Sequence, residues 1–93
     1  MVDLVLNERQ ETFLRCIYDQ AAGDVTHLIG KDELYGLAEK LGFNKHEVYS
    51  YSIELKERQL VEAAAVFSDP EAEIAYVRLT ARGAAYVRQQ DVT

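Results

Sequence analysis

Ninety-three residues, 48% of them hydrophobic and 10% aromatic, have room for one core and enough apolar material to fill it. That excludes a disordered chain and predicts a single domain over 1–93. Sixteen acidic residues against ten basic ones give a net charge of −6, a balance that disfavours a surface built to grip many phosphates, because such affinity comes largely from counterion release.

No apolar run approaches the roughly 20 residues of a bilayer span. Met1–Leu6 carries Asp3 in place of the basic flank of a secretion signal. The single cysteine, Cys16, has no disulfide partner in the chain and is expected to pack as a small apolar side chain on a helix. These features predict a soluble, cytoplasmic protein without membrane association.

In chain order, Asn7 is placed to cap a first helix, with Gln10 completing a capping-box pattern. Phe13, Leu14, Ile17, Tyr18 and Ala21 then form one apolar stripe, and Gly23-Asp24 ends the helix at about residue 22. Thr26–Ile29 is a short β-prone piece with Gly30 as its brake. A second helix fits Lys31–Leu41, with Leu34, Leu37, Ala38 and Leu41 on one buried face and Gly42 closing it in the left-handed region. Asn44 caps a third helix that runs to about Arg58, with Glu47 as its reciprocal partner and Val48, Tyr51 or Ser52, and Leu55 facing inward. Leu60–Phe67 and Glu73–Thr80 read as strands joined by the turn Ser68-Asp69-Pro70-Glu71. Thr80 caps a last helix from Ala81 to about Gln90, whose apolar side holds Ala84, Ala85 and Val87.

Little in this pattern is catalytic. Cys16, His27 and His46 are the soft or imidazole metal candidates, and their spacings match no zinc signature. There is no phosphate loop, nucleophile elbow or recognisable carboxylate pair, so neither an enzyme nor a cofactor is expected. Tyr49 and Tyr51 are two residues apart on one helix and cannot share a face. Tyr49 is expected to be the exposed one.

Two helices separated by Gly42-Phe43-Asn44 have the spacing of a helix-turn-helix. Glu33-Leu34-Tyr35-Gly36-Leu37-Ala38-Glu39-Lys40-Leu41-Gly42-Phe43-Asn44 resembles the first half of that motif in winged-helix transcriptional regulators. Val77–Val87, with Leu79-Thr80 and Gly83, is similar to the closing strand and helix of the multiple-antibiotic-resistance and phenolic-acid repressor families. The resemblance covers roughly residues 26–88. It implies an α+β winged helix-turn-helix: a three-helix core, a two- or three-stranded β-wing and a C-terminal helix. It further implies a regulator with the third helix, about 45–58, in the major groove of double-stranded DNA. Its candidate DNA contacts here are Lys45, His46, Tyr49, Ser50, Lys56 and Arg58, with Glu54 at the margin. Regulators of this kind commonly read two half-sites as homodimers, and the apolar Val2–Leu6 segment with the first and last helices is the expected interface.

Three features depart from that pattern. The wing tip carries Asp69, Glu71 and Glu73 and no cation; the third helix balances Lys45, Lys56 and Arg58 with Glu47, Glu54 and Glu57; and Gln59 stands where glycine usually breaks the helix before the wing, which shifts that boundary. The sequence therefore leaves alternatives open: a winged-helix module for protein partners, or a DNA mimic.

Overall fold

The computed structural model describes residues 6–68 and 71–91. Helix α1 spans Glu8–Ala21, strand β1 Leu28–Gly30, α2 Lys31–Lys40, α3 Lys45–Glu57, β2 Val61–Ser68, β3 Glu71–Leu79 and α4 Ala81–Asp91. The three strands form an antiparallel sheet in the order β1-β3-β2. Asp69-Pro70, the centre of the expected turn, and residues 2–5 of the expected dimer segment lie outside the described residues.

Both capping boxes form. Asn7 Oδ1 accepts from the Gln10 amide at 2.8 Å while Gln10 Oε1 accepts from the Asn7 amide at 3.0 Å, and Asn44 and Glu47 repeat the exchange at 2.8 and 2.9 Å. Four helical N–H groups that would otherwise lack partners make such caps worth about 1 kcal/mol each. At its far end α2 closes on Gly42 (φ 81°), with the Phe43 amide bonded to the Ala38 carbonyl and the Gly42 amide to the Glu39 carbonyl, the paired bonds of a left-handed C-terminal cap. Helix α3 closes in the same way on Gln59 (φ 63°), with Leu60 bonded back to Leu55 and Gln59 to Lys56. Gln59 thus takes the backbone conformation a glycine would have taken, and the helix ends where it should rather than at a shifted boundary.

The core lies where α1, α3 and α4 meet the inner face of the sheet: Phe13, Leu14, Ile17, Val48, Leu55, Leu60, Ile74, Val77 and Leu79 are all buried. Burying side chains of this size stabilises by about 1.5–3 kcal/mol apiece before entropy is charged against it. Some expected faces are rotated. Leu34 and Ala38 are buried, but Leu37 is only half-buried and Leu41 is 38% exposed; both line a groove with Cys16, Thr12 and Asp19 of α1, so Cys16 is half-buried rather than part of the core. On α4, Ala84 and Val87 point inward, whereas Ala85 faces out.

The Leu79-Thr80 and Gly83 pattern has a mechanical reason. The Thr80 hydroxyl donates to the Gln59 carbonyl at 2.8 Å and accepts from the Gly83 amide at 2.9 Å, so one side chain both braces the end of α3 and caps α4. A Cβ on Gly83 would sit 2.0 Å from the Leu60 carbonyl oxygen, a distance no side chain tolerates.

Candidate nucleic-acid interface

Helix α3 has two sides with different partners. Toward α1 the contacts are dense: the Arg9 guanidinium bonds Glu47 and the Tyr51 hydroxyl, the latter at 3.0 Å, and lies 4.8 Å over the Phe43 ring. Phe13, Phe43 and Tyr51 pack as a trio with centroids 5.4–6.0 Å apart, and the side-chain Nε2 of Gln10 donates to the Glu54 carboxylate. Tyr51 and Arg9 hold each other, which raises the pKa of Arg9. Two of the three carboxylates that balance the cations of α3, Glu47 and Glu54, are therefore turned toward α1, while Glu57 in its last turn stays exposed.

The other side carries Lys45, His46, Tyr49 and Ser50, a stripe one and four residues apart. Lys45 and His46 are exposed, while Tyr49 and Ser50 are half-buried; Tyr49 rests against the core edge instead of standing free as expected. Lys45, His46 and Tyr49 line a groove of about 230 Å³ whose far wall is Ala72 and Glu73 of β3. Three of the sequence candidates are brought together here against the hairpin, with Ser50 on the same stripe.

The remaining two candidates lie apart from that groove. The Arg58 guanidinium donates to the Glu54 carbonyl at 3.1 Å, satisfying an end group of its own helix. Lys56 lines a separate open groove of about 640 Å³ with Gln59, Tyr76, Thr80 and Arg82. Cys16, His27 and His46 stand on α1, before β1 and on α3, and no three His, Cys, Asp or Glu side chains gather among the described residues.

Contacts from α2 fix the hairpin's position. The Tyr35 hydroxyl accepts from the Ile74 amide at 3.2 Å, beside the bulge where Ala64 pairs Tyr76 and Ala65 pairs Ile74; such a bulge leaves a ladder group free for another partner. One turn earlier, Lys31 Nζ lies 2.6 Å from Glu73, and Lys45 Nζ approaches the other oxygen of that carboxylate at 3.7 Å. Lys31, with Lys45 in support, holds the Glu73 carboxyl below the usual carboxylate range, and Glu73 in turn raises Lys31. One of the three wing carboxylates is thus already partnered. Asp69 and the side chain of Glu71 lie outside the described residues. Sequence reasoning missed Lys31, Tyr35 and the pairing of Glu73, since contacts about 40 positions apart leave no local periodicity.

No family model and no curated protein matches the chain. Among solved structures it is similar to one described as "X-ray structure of PadR-like Transcription factor from bacteroid fragilis", with a TM-score of 0.61 over 90% of this chain and 81% of that one, at 15% identity. The fold is a winged helix. In that frame α2 and α3 are the helix-turn-helix and β2–β3 is the wing. At this identity the likeness carries the architecture alone, and the multiple-antibiotic-resistance group does not figure in it. No helix among the described residues is long and apolar enough to cross a membrane.

Proposed function

We propose that this winged-helix protein is a DNA-binding regulator of transcription whose α3 enters the major groove along Lys45, His46, Tyr49 and Ser50. The observation that carries the reading is the division of the first three turns of α3: Glu47 and Glu54 are bound toward α1, leaving only Glu57 exposed in the last turn, while the opposite side sets a lysine, an imidazole and a phenol beside the wing, with the Ser50 hydroxyl next to them on the helix. That set suits base-edge and phosphate hydrogen bonds, and it offsets locally the overall charge of −6. Lys56 and Arg58, nearer the helix end, are secondary contacts in this reading. A two-fold dimer through α1 and α4 would present two such helices to neighbouring half-sites, in the compartment that holds the DNA; sedimentation at micromolar concentration would return the dimer mass, and a monomer mass would remove this part.

The test is a titration of labelled mixed-sequence duplex, about three helical turns long, at several salt concentrations. Binding should fall by about 0.9 log units per log unit of salt for each phosphate neutralised, and Lys45→Ala should flatten that slope by about one phosphate's share. No binding at the lowest salt would defeat the reading.

A second reading, a module for protein partners, is favoured by one specific feature. Leu28 is 53% and Tyr76 37% exposed; Leu28 pairs with Arg78, two residues from Tyr76, so both lie on the outer face of the sheet. An acidic domain with an exposed apolar sheet face suits a basic or apolar protein surface. The same titration separates the two, since such a module would leave DNA unbound.

A further inference from the structure

Two lysines from different helices converge on one carboxylate at the base of the wing. Lys31 opens α2, Lys45 opens α3, and the two oxygens of Glu73 on β3 are divided between them at 2.6 and 3.7 Å. The carboxylate is placed rather than incidental: Tyr35 holds the next backbone amide, that of Ile74, at 3.2 Å. A carboxylate with each oxygen on a different ammonium group presents what the two free oxygens of a backbone phosphate would present. All three side chains keep access to water, with exposures of 48%, 69% and 23%, so the pairs are weak enough for a stronger anion to displace. Lys45 also lines the groove beside His46 and Tyr49, which puts the clasp at the edge of the proposed DNA-facing stripe. Three arginines on other elements are engaged elsewhere: Arg9 of α1 on Glu47, Arg78 of β3 on Glu62 and Arg88 of α4 on Tyr18.

We infer that Glu73 is an internal competitor for backbone phosphate, and that Lys31, with Lys45, is a phosphate contact held occupied until a duplex displaces it. The inference rests on the DNA reading above and adds to it a residue that lowers affinity and a contact that the stripe on α3 does not include. It turns the acidic wing from an obstacle into a setting. Binding exchanges one anion for another at the two lysines, so the net counterion release, and with it the affinity, is smaller than the number of nearby cations would give.

The experiment compares duplex binding by the wild-type protein, Glu73→Gln and Glu62→Gln over a salt series, using the mixed-sequence duplex. It then repeats Glu73→Gln in a Lys31→Ala/Lys45→Ala background, with far-UV circular dichroism confirming that each variant is folded. Glu62→Gln is the control because it also removes one negative charge from an exposed ion pair, that with Arg78 on the sheet. Glu73→Gln is expected to bind roughly 2- to 5-fold tighter at low salt, with a slope steeper by about 0.9, one phosphate's worth. The gain should vanish in the double-alanine background and exceed that of Glu62→Gln. Wild-type binding with an unchanged Glu73→Gln overturns the clasp alone, as does an equal gain without the lysines or an equal gain in Glu62→Gln, which would be a long-range field effect. Absence of binding by both wild type and Glu73→Gln overturns the DNA reading and the clasp with it.

Discussion

At its start α3 is closed by Asn44 and Glu47, which exchange two hydrogen bonds within a single turn, whereas at its end the chain passes through Gln59 at φ 63° and is braced by Thr80, 21 positions further on. The first closure is local: asparagine and glutamate at that spacing make the same bonds in almost any context. The second is imposed from outside. A glutamine in the left-handed region costs roughly 1–2 kcal/mol relative to a relaxed backbone, and what offsets it is tertiary: the Thr80 hydroxyl on the Gln59 carbonyl and the close seating of Gly83 on Leu60. Helix α3 thus presents its starting residues outward and is anchored at its finish by Thr80 and the first turn of α4.

That contrast can be broken from either end. Gly83→Ala should have the largest effect, because the added carbon falls 2.0 Å from the Leu60 oxygen and α4 must move off the α3–β2 turn. A loss of about 3 kcal/mol, a drop in Tm on the order of 15 °C, is expected by thermal melting; an unchanged Tm would mean that α4 is seated elsewhere. Asn44→Ala removes the local cap and should cost about 1 kcal/mol in urea denaturation, with the far end of α3 unaffected. Gln59→Gly relieves the left-handed strain and should stabilise by about 0.5–1 kcal/mol after the extra freedom of glycine in the unfolded chain is set against it. Destabilisation there would show that the glutamine side chain makes a contribution of its own.

The comparison extends to α4, which the Thr80 brace begins. The Tyr86 hydroxyl donates to Glu11 at 2.9 Å, tying α4 to α1, and burial together with that bond pushes its pKa up to about 12. A raised tyrosine pKa favours the fold below the ordinary value near 10, and that contribution is lost as pH climbs from about 10 through about 12. Tyr86→Phe should cost about 1 kcal/mol at neutral pH and flatten this part of the alkaline fall in stability. An identical alkaline profile in wild type and variant would place the bond outside the folded state's balance.

The same local-against-tertiary distinction decides what was legible in the sequence. Both asparagine caps, the Gly42 turn, the hairpin and the order of elements could be read because each is written within a few residues. Leu41 and Ala85 were misplaced because helical periodicity gives a face but not which neighbour, if any, covers it; α1 leaves Leu41 in an open groove. Helical spacing admits either Tyr51 or Ser52 as the inward residue. Ser52 is the fully buried one, and its hydroxyl has no hydrogen-bond partner among the described residues. At the candidate interface Lys45, His46, Tyr49 and Ser50 followed from helix spacing and resemblance. Lys31, Tyr35 and the role of Glu73 did not, since only the folded chain sets α2 against β3.

The central claim is that the α3 stripe beside the wing is the surface that meets DNA, and amide chemical-shift mapping with a mixed-sequence duplex at low salt tests it most directly. The account predicts that the largest perturbations fall on Lys45, His46, Tyr49 and Ser50, with Lys31 and Glu73 beside them, and that they fade as salt rises. Shifts gathered instead around Leu28 and Tyr76 on the outer sheet, or no shifts at all, would contradict it.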